Sequence, residues 1–179
     1  MQPSPWRIRS SCLLLDRPWL RLEQQRVQLP DGREIDYHIC HEGDWAAILP
    51  QHHDGRWVLV EHYRHPLGTW TLEFPGGNID QSESAELAAQ RELSEETGYQ
   101  ISGRLRQLTT VHPNAARSSS RGFGFVCQVV DVPKETDHEH TEQLHVKLLD
   151  NEAIHQAIAH GRLSHAAHIA WFYQVTMAR

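Results

Sequence analysis

Three cysteines in 179 residues, at positions 12, 40 and 127, are an odd number set far apart with no CxxC pair. They offer neither a disulfide framework nor a zinc site, and a reducing cytoplasm suits them. Long apolar runs are also missing. Arg7 and Arg9 precede Cys12-Leu13-Leu14-Leu15, but that run stops at Asp16, far too short for a signal-peptide core, and nothing later approaches a membrane span. A soluble, unexported protein is expected. No Lys/Arg-rich run occurs and the formal net charge is −6, which argues against a nucleic-acid surface and for a small anionic ligand met by a few local cations or by metal ions. Fourteen histidines are present, among them His138, His140, His145, His165 and His168, but they are scattered and have no HExxH or paired cysteine. Most are expected on the surface or in packing.

The chain carries 39% hydrophobic residues, enough for one sizeable core but not two. Alternation in 19–23 and 26–29, the turn Pro30-Asp31-Gly32 and a further run over 33–40 predict an antiparallel β-hairpin, read as an appendage over residues 1–42 ahead of a main domain over 43–179. In the main domain, strands are expected over 45–50, 56–63, 70–74, 101–110, 122–130 and 144–149, and helices over 85–97, 151–160 and 164–177, the last with Ser164 as N-cap. Strands around one central helix, with helices at the end, indicate an α+β fold: an α/β/α sandwich with a mixed sheet. The stretch 112–121 is polar and long enough to be functional or mobile.

The chemistry concentrates between Gly77 and Tyr99. The run 85–97 is made of good helix formers, with Ser82 or Ser84 to cap its start and Gly98 to end it. Glu92, Glu95 and Glu96 then share one face near the helix C-terminus, where spacing and dipole both disfavour three anions. Arg91 can pair with Glu95, but one guanidinium does not neutralise three carboxylates, whereas a hard divalent cation would. The preceding Phe74-Pro75-Gly76-Gly77 is not expected to continue a strand and offers a backbone carbonyl beside the helix.

Gly77, Glu83, Arg91-Glu92-Leu93, Glu95-Glu96 and Gly98, at these spacings, resemble the signature of the Nudix hydrolases, with Tyr99 at a position more often aliphatic. From about Trp19 to Trp171 the chain further resembles the ADP-ribose pyrophosphatase branch, through 58–66 with Arg64, Leu72-Glu73-Phe74-Pro75-Gly76-Gly77, Pro113 fifteen residues after Gly98, and Gly161-Arg162-Leu163-Ser164. The resemblance implies Mg²⁺-dependent (Mn²⁺ possible) hydrolysis of a nucleoside diphosphate sugar, most simply ADP-ribose to AMP and ribose 5-phosphate. It implies Glu92 and Glu96 as metal ligands with the Gly76 carbonyl, and Glu95 as a further ligand. Glu83 and Arg91 would orient these groups, and Arg64 would clamp a phosphate with Glu73 nearby. For the general base, Glu142 is preferred over Glu139 and His140. Trp19 and Tyr37 would stack on the base, or else pack against each other across the hairpin, and relatives that exchange this hairpin imply a homodimer. Alternatives are another substrate, such as GDP-mannose, another sugar nucleotide, a nucleoside triphosphate or capped RNA, and a non-catalytic ligand-binding module of the same fold; the complete set of acids favours catalysis.

Overall fold

Two separate sheets organise the chain, seen in a computed structural model that describes residues 5–18, 20–130 and 144–177. The first unit is built from the chain up to Gly43 together with His112–Arg121. Its strands β1 (Arg7–Arg17), β2 (Leu20–Gln28) and β3 (Glu34–His41) form an antiparallel sheet in the order β1-β2-β3. The expected hairpin is therefore β2–β3, and β1 adds a strand that the sequence did not announce. Its run RIRSSCLLLDR lacks period-2 alternation, it is exposed along nearly all its length, and its pairing with β2 slips between Ile8 and Ser10 and again between Leu13 and Leu15. β2 runs unbroken through Gln24 and Gln25, which pair with Cys12 and Ser11 on one side and His38 and Tyr37 on the other. Gly32, with φ of 87°, makes the β2–β3 turn, where the Asp31 carboxylate accepts from the Arg33 amide. The segment His112–Arg121 joins this unit by pairing beside β3: the Cys40 amide donates to the Arg117 carbonyl at 2.8 Å, and the Ser120 hydroxyl to the Gly43 carbonyl at 2.7 Å.

The second unit, Asp44–Val111 with Gly122 onward, holds the larger sheet. Its strands are β4 (Trp45–His52), β5 (Trp57–Arg64), β6 (Thr69–Glu73), β7 (Gly76–Asn78), β8 (Gln100–Gln107), β9 (Gly122–Val130) and β10 (Leu144–Leu149). The order is β10-β5-β4-β9-β8, with β6 paired to β5 and β7 to β4; β4–β9 is parallel and the rest antiparallel, so the sheet is mixed as expected. The strand does stop after Glu73, but Gly76–Asn78 resumes as a short strand on Trp45–Ala47, contrary to the reading that the glycines only turn. Glycine is required there: a Cβ on Gly76 would lie 2.4 Å from the Ala46 carbonyl oxygen.

Period-2 alternation along β4 divides the core. Ala46 and Ile48 join Val58, Phe125 and Cys127 against Ala88, Ala89 and Leu93 of helix α1 (Ala85–Thr97), with Tyr99 filling the same layer. Ala47 and Leu49 face the other way, against Ile154 of α2 (Asn151–Ala159) and Trp171 and Phe172 of α3 (Ala166–Met177). Helices thus cover both faces, the α/β/α sandwich. None of the described helices is long and apolar enough to cross a membrane.

Candidate active site

Helix α1 starts where Ser84, extended at φ −82°, accepts from the Leu87 amide through its hydroxyl, and it ends at Gly98 in the left-handed region at φ 70°. Burying Ala88, Ala89 and Leu93 in the sheet fixes the rotation of the helix, and Glu92, Glu95 and Glu96 follow from it. The expected Arg91–Glu95 pair is one part of a larger fork. Arg91 Nε and Nη2 each donate to Glu83 at 3.0 Å, Nη1 donates to Glu92 at 2.9 Å and to Glu95 at 3.1 Å, and Nη2 also reaches the Asn78 carbonyl at 3.0 Å. Hydrogen bonding to Glu83, together with the Glu92 and Glu95 carboxylates, raises the Arg91 pKa although burial opposes it. The Glu83 carboxyl is correspondingly held below its usual range by Arg91 and by the Asp80 amide.

Across from this face lies the glycine corner. The Gly76 amide donates to Glu96 Oε2 at 3.0 Å, and Glu96 is only 5% exposed. Gly77 gives way to Glu92: a Cβ there would stand 2.3 Å from Glu92 Oε1. The corner itself is pinned from α3, where the buried His168 accepts the Phe74 amide on Nδ1 at 3.2 Å. Burial pushes the pKa of His168 down to about 3, so the ring is neutral and able to accept.

Arg64 and Glu73, both named from the sequence as substrate-binding, form a bidentate ion pair with both N···O distances at 2.7 Å. Glu73 is buried, which by itself would raise its pKa, but the Arg64 hydrogen bonds and charge, with the Thr71 hydroxyl at 2.7 Å, hold it at about 2. Sequence reasoning missed Thr71 and Asn78, and named His168 only among histidines expected mostly on the surface or in packing. Thr71 could have been found, because it lies two residues from Glu73 on the same strand face.

Residues 43–172 match the NUDIX domain family. The chain belongs to the Nudix family. Its residues 6–39 also match the nucleoside diphosphate sugar hydrolase N-terminal domain. Among similar proteins, an ADP-ribose pyrophosphatase of Bacillus subtilis is 28% identical over 69% of this chain and 69% of its own length. An ADP-sugar pyrophosphatase of Mus musculus is 32% identical over 54% of this chain and 50% of its own. A CMP-5'-(N-acetyl-N-hydroxy-3-aminopropyl)phosphonate hydrolase of Streptomyces rubellomurinus is 30% identical over 71% and 61%. The alignments thus span about half to two thirds of the length of these relatives. The crystal structure of an ADP compounds hydrolase superposes over 98% of this chain and 94% of its own with a TM-score of 0.84 at 19% identity, which is likeness of fold.

In this Nudix chain the acidic and arginine residues of the signature are brought together: Glu83, Arg91, Glu92 and Glu95 in one hydrogen-bonded group, and Glu96 against Gly76. Among the described residues no three acidic, histidine or cysteine side chains converge closely enough to hold an ion, and the Arg91 guanidinium stands among the carboxylates instead. The donor set nonetheless fits a hard divalent cation in kind. Glu92 and Glu95 share a single guanidinium nitrogen, so their oxygens lie within two hydrogen-bond lengths of each other, beside a backbone corner with no side chain to block it. Tyr37 lies in the first unit, where its hydroxyl donates to the Ala116 carbonyl and Trp6 meets its ring edge-on at 5.7 Å. Pro113 lies in the same unit and is exposed. Trp19, Glu139, His140 and Glu142 are outside the described residues.

Proposed function

We propose that this Nudix protein hydrolyses the pyrophosphate of a nucleoside diphosphate sugar, with ADP-ribose, giving AMP and ribose 5-phosphate, as the preferred substrate. The acidic fork of α1 facing the glycine corner carries this reading, and the N-terminal match to the sugar hydrolase domain narrows it to this class. The named activities of the Bacillus and mouse relatives support the adenine nucleotide.

Glu92, Glu95, Glu96 and the Gly76 carbonyl would hold Mg²⁺, or Mn²⁺, which when bound offsets the charge on the pyrophosphate and makes a water easier to deprotonate. Arg91 and Glu83 set the rotamers of these carboxylates, so that little reorganisation accompanies the reaction. Glu73 takes Nε and Nη2 of Arg64 and so fixes the plane of a guanidinium that is 41% exposed along its side chain, the posture needed to clamp a phosphate. Glu142 would take the proton from the attacking water, with Glu139 and His140 as the alternatives. Trp19 and Tyr37 would stack on the base, and Pro113 would border the sugar.

A homodimer belongs to this reading. Ile8, Leu13, Leu14 and Leu20 are all exposed on β1 and β2, apolar area that a second copy would cover. Its place would be the cytoplasm, in keeping with three unpaired cysteines, and its partner a small molecule rather than a nucleic acid. The deciding experiment is a substrate screen with product identification across ADP-ribose, ADP-glucose, GDP-mannose, NADH, diadenosine polyphosphates, CMP-phosphonates and dNTPs. AMP plus ribose 5-phosphate from the best substrate supports the proposal; preferential conversion of dNTPs to dNMP and pyrophosphate overturns it.

A further inference from the structure

Strands β5, β6 and β10 carry a second set of polar and aromatic side chains on the face turned away from α1. Alternation divides them cleanly: Val58, Val146 and Leu148 belong to the layer under α1, whereas Leu72 and Leu149 belong to the layer under α2 and α3. On that second face a cleft of about 370 Å³ opens between β10 and α2, floored by Leu72, Leu149, Ala153 and Ala157 and edged by Lys147, His160 and Arg162. Glu61, on the same face, holds both cations in place, with Lys147 Nζ at 3.3 Å and Arg162 Nη2 at 2.7 Å. One carboxylate against two cations leaves an excess positive charge at the cleft in a chain whose net charge is −6.

Two residues further along β6 and β10, about 7 Å away by strand geometry, Trp70 and His145 stack with ring centroids 5.4 Å apart and planes 23° apart, and Tyr63 meets Trp70 edge-on at 5.9 Å. Trp70 is 37% exposed and Tyr63 42%, so this aromatic shelf is open to solvent beside the charged cleft.

We propose that the cleft and shelf together form a second ligand site, for a nucleoside monophosphate. The phosphate sits between Lys147 and Arg162, the ribose crosses the aliphatic floor, and the base lies on the Trp70–His145 shelf. A flat aromatic ring is what an exposed, already aligned aromatic pair recognises, and a charge-assisted contact from a guanidinium and an ammonium is what a phosphate monoester recognises. A longer phosphate chain fits less well. The cleft is at the small end of ligand pockets, only one positive charge is in excess, and the C-terminus of α2 at His160 contributes negative partial charge. No residue of the acidic fork takes part, so the site stands whether or not the nucleotide-sugar reading holds.

The test is a titration of ¹⁵N-labelled protein with AMP in EDTA, mapped residue by residue. Shifts at the Trp70 indole N–H, His145, Lys147 and Arg162 are expected. The double variant K147Q/R162Q should bind AMP about tenfold more weakly or worse at this site, and adenosine, lacking the phosphate, should bind wild type with a loss of similar size. W70A should weaken AMP binding about threefold to tenfold. Hydrolysis by all these variants should stay within about twofold of wild type, since none touches the fork. Shifts confined to the surroundings of Gly77 and Glu92, no shifts at all, or K147Q/R162Q binding AMP as tightly as wild type would each overturn the proposal, and the wild-type map does so without depending on how the variants fold.

Discussion

Replacing Gly77 with alanine isolates the geometry of the candidate site from the stability of the fold. The added Cβ would lie 2.3 Å from Glu92 Oε1 and 2.7 Å from Glu92 Cδ. Carbon–oxygen contacts settle at about 3.3 Å or more, so the Glu92 carboxylate has to retreat by roughly 1 Å, taking with it the oxygen that Arg91 Nη1 holds at 2.9 Å. A misplacement of that size in a catalytic group costs on the order of a hundredfold in rate. The obstacle is the far end of a flexible side chain, and stability should fall by only about 1 kcal/mol, a Tm change of about 2–4 °C for a chain of this size. Gly76→Ala is the matched contrast, because there the Cβ meets β4 backbone, 2.4 Å from the Ala46 carbonyl oxygen and 2.7 Å from Ala47 Cα. Backbone cannot step aside, and a loss of about 3 kcal/mol with a Tm drop of about 6–12 °C is expected. Steady-state ADP-ribose hydrolysis across a Mg²⁺ series, paired with thermal unfolding of the same samples, makes the measurement. If G77A retained activity within about threefold of wild type, or lost as much Tm as G76A, the assignment of Gly77 as the space that Glu92 needs would be wrong.

Glu96→Gln should remove nearly all hydrolysis at any practical Mg²⁺ concentration, as should excess EDTA on wild type; substantial residual turnover in either would refute the metal assignment. Glu142→Gln should lower kcat by about a hundredfold, and a loss under about threefold would pass the role of base to Glu139 or His140. Glu73, held at about 2 when folded, binds fewer protons than it does unfolded, where its pKa is 4.5. Its contribution is therefore complete above about pH 4.5 and is lost as pH falls through about 2. It amounts to about 2 kcal/mol once solvent around the partly exposed Arg64 is allowed for, and urea unfolding of wild type and E73Q across that range should converge at the acid end. His168→Phe removes the acceptor of a buried amide and should cost about 1–3 kcal/mol at pH 7.5, with H168Q recovering part of it. Since His168 stays neutral in the fold down to about pH 3 but protonates at about 6.5 when unfolded, wild type should lose stability as pH falls between those values, more steeply than H168F.

The helix of the site was legible to the residue, because capping, composition and stop signal all coincide between Ser84 and Gly98. The split of β4 into two faces was not: Ala46, Ala47, Ile48 and Leu49 are all apolar, so alternation is invisible until helices cover both sides. β1 escaped because its pairing partner, not its own pattern, makes it a strand, and β7 because three residues containing two glycines carry no strand signal of their own. Arg64 and Glu73 were both named, yet their union was hidden until β5 and β6 came into register with Arg64 opposite Thr69 and Val60 opposite Glu73. Likewise the partnership of Cys40 with Arg117 and Ser118 joins stretches whose sequences give no hint of each other.

Among the described residues Arg91 takes its partners from Asn78, Glu83, Glu92 and Glu95, and Glu96 accepts from the Gly76 amide, so these contacts of the acidic fork fall within one short consecutive stretch of chain. The sheet that supports it is assembled in the opposite way, with β4 beside β9 and β5 beside β10, strands from distant parts of the sequence. An insertion outside residues 76–96 therefore leaves the spacing of these contacts in the chain untouched, whereas one inside that stretch alters it directly.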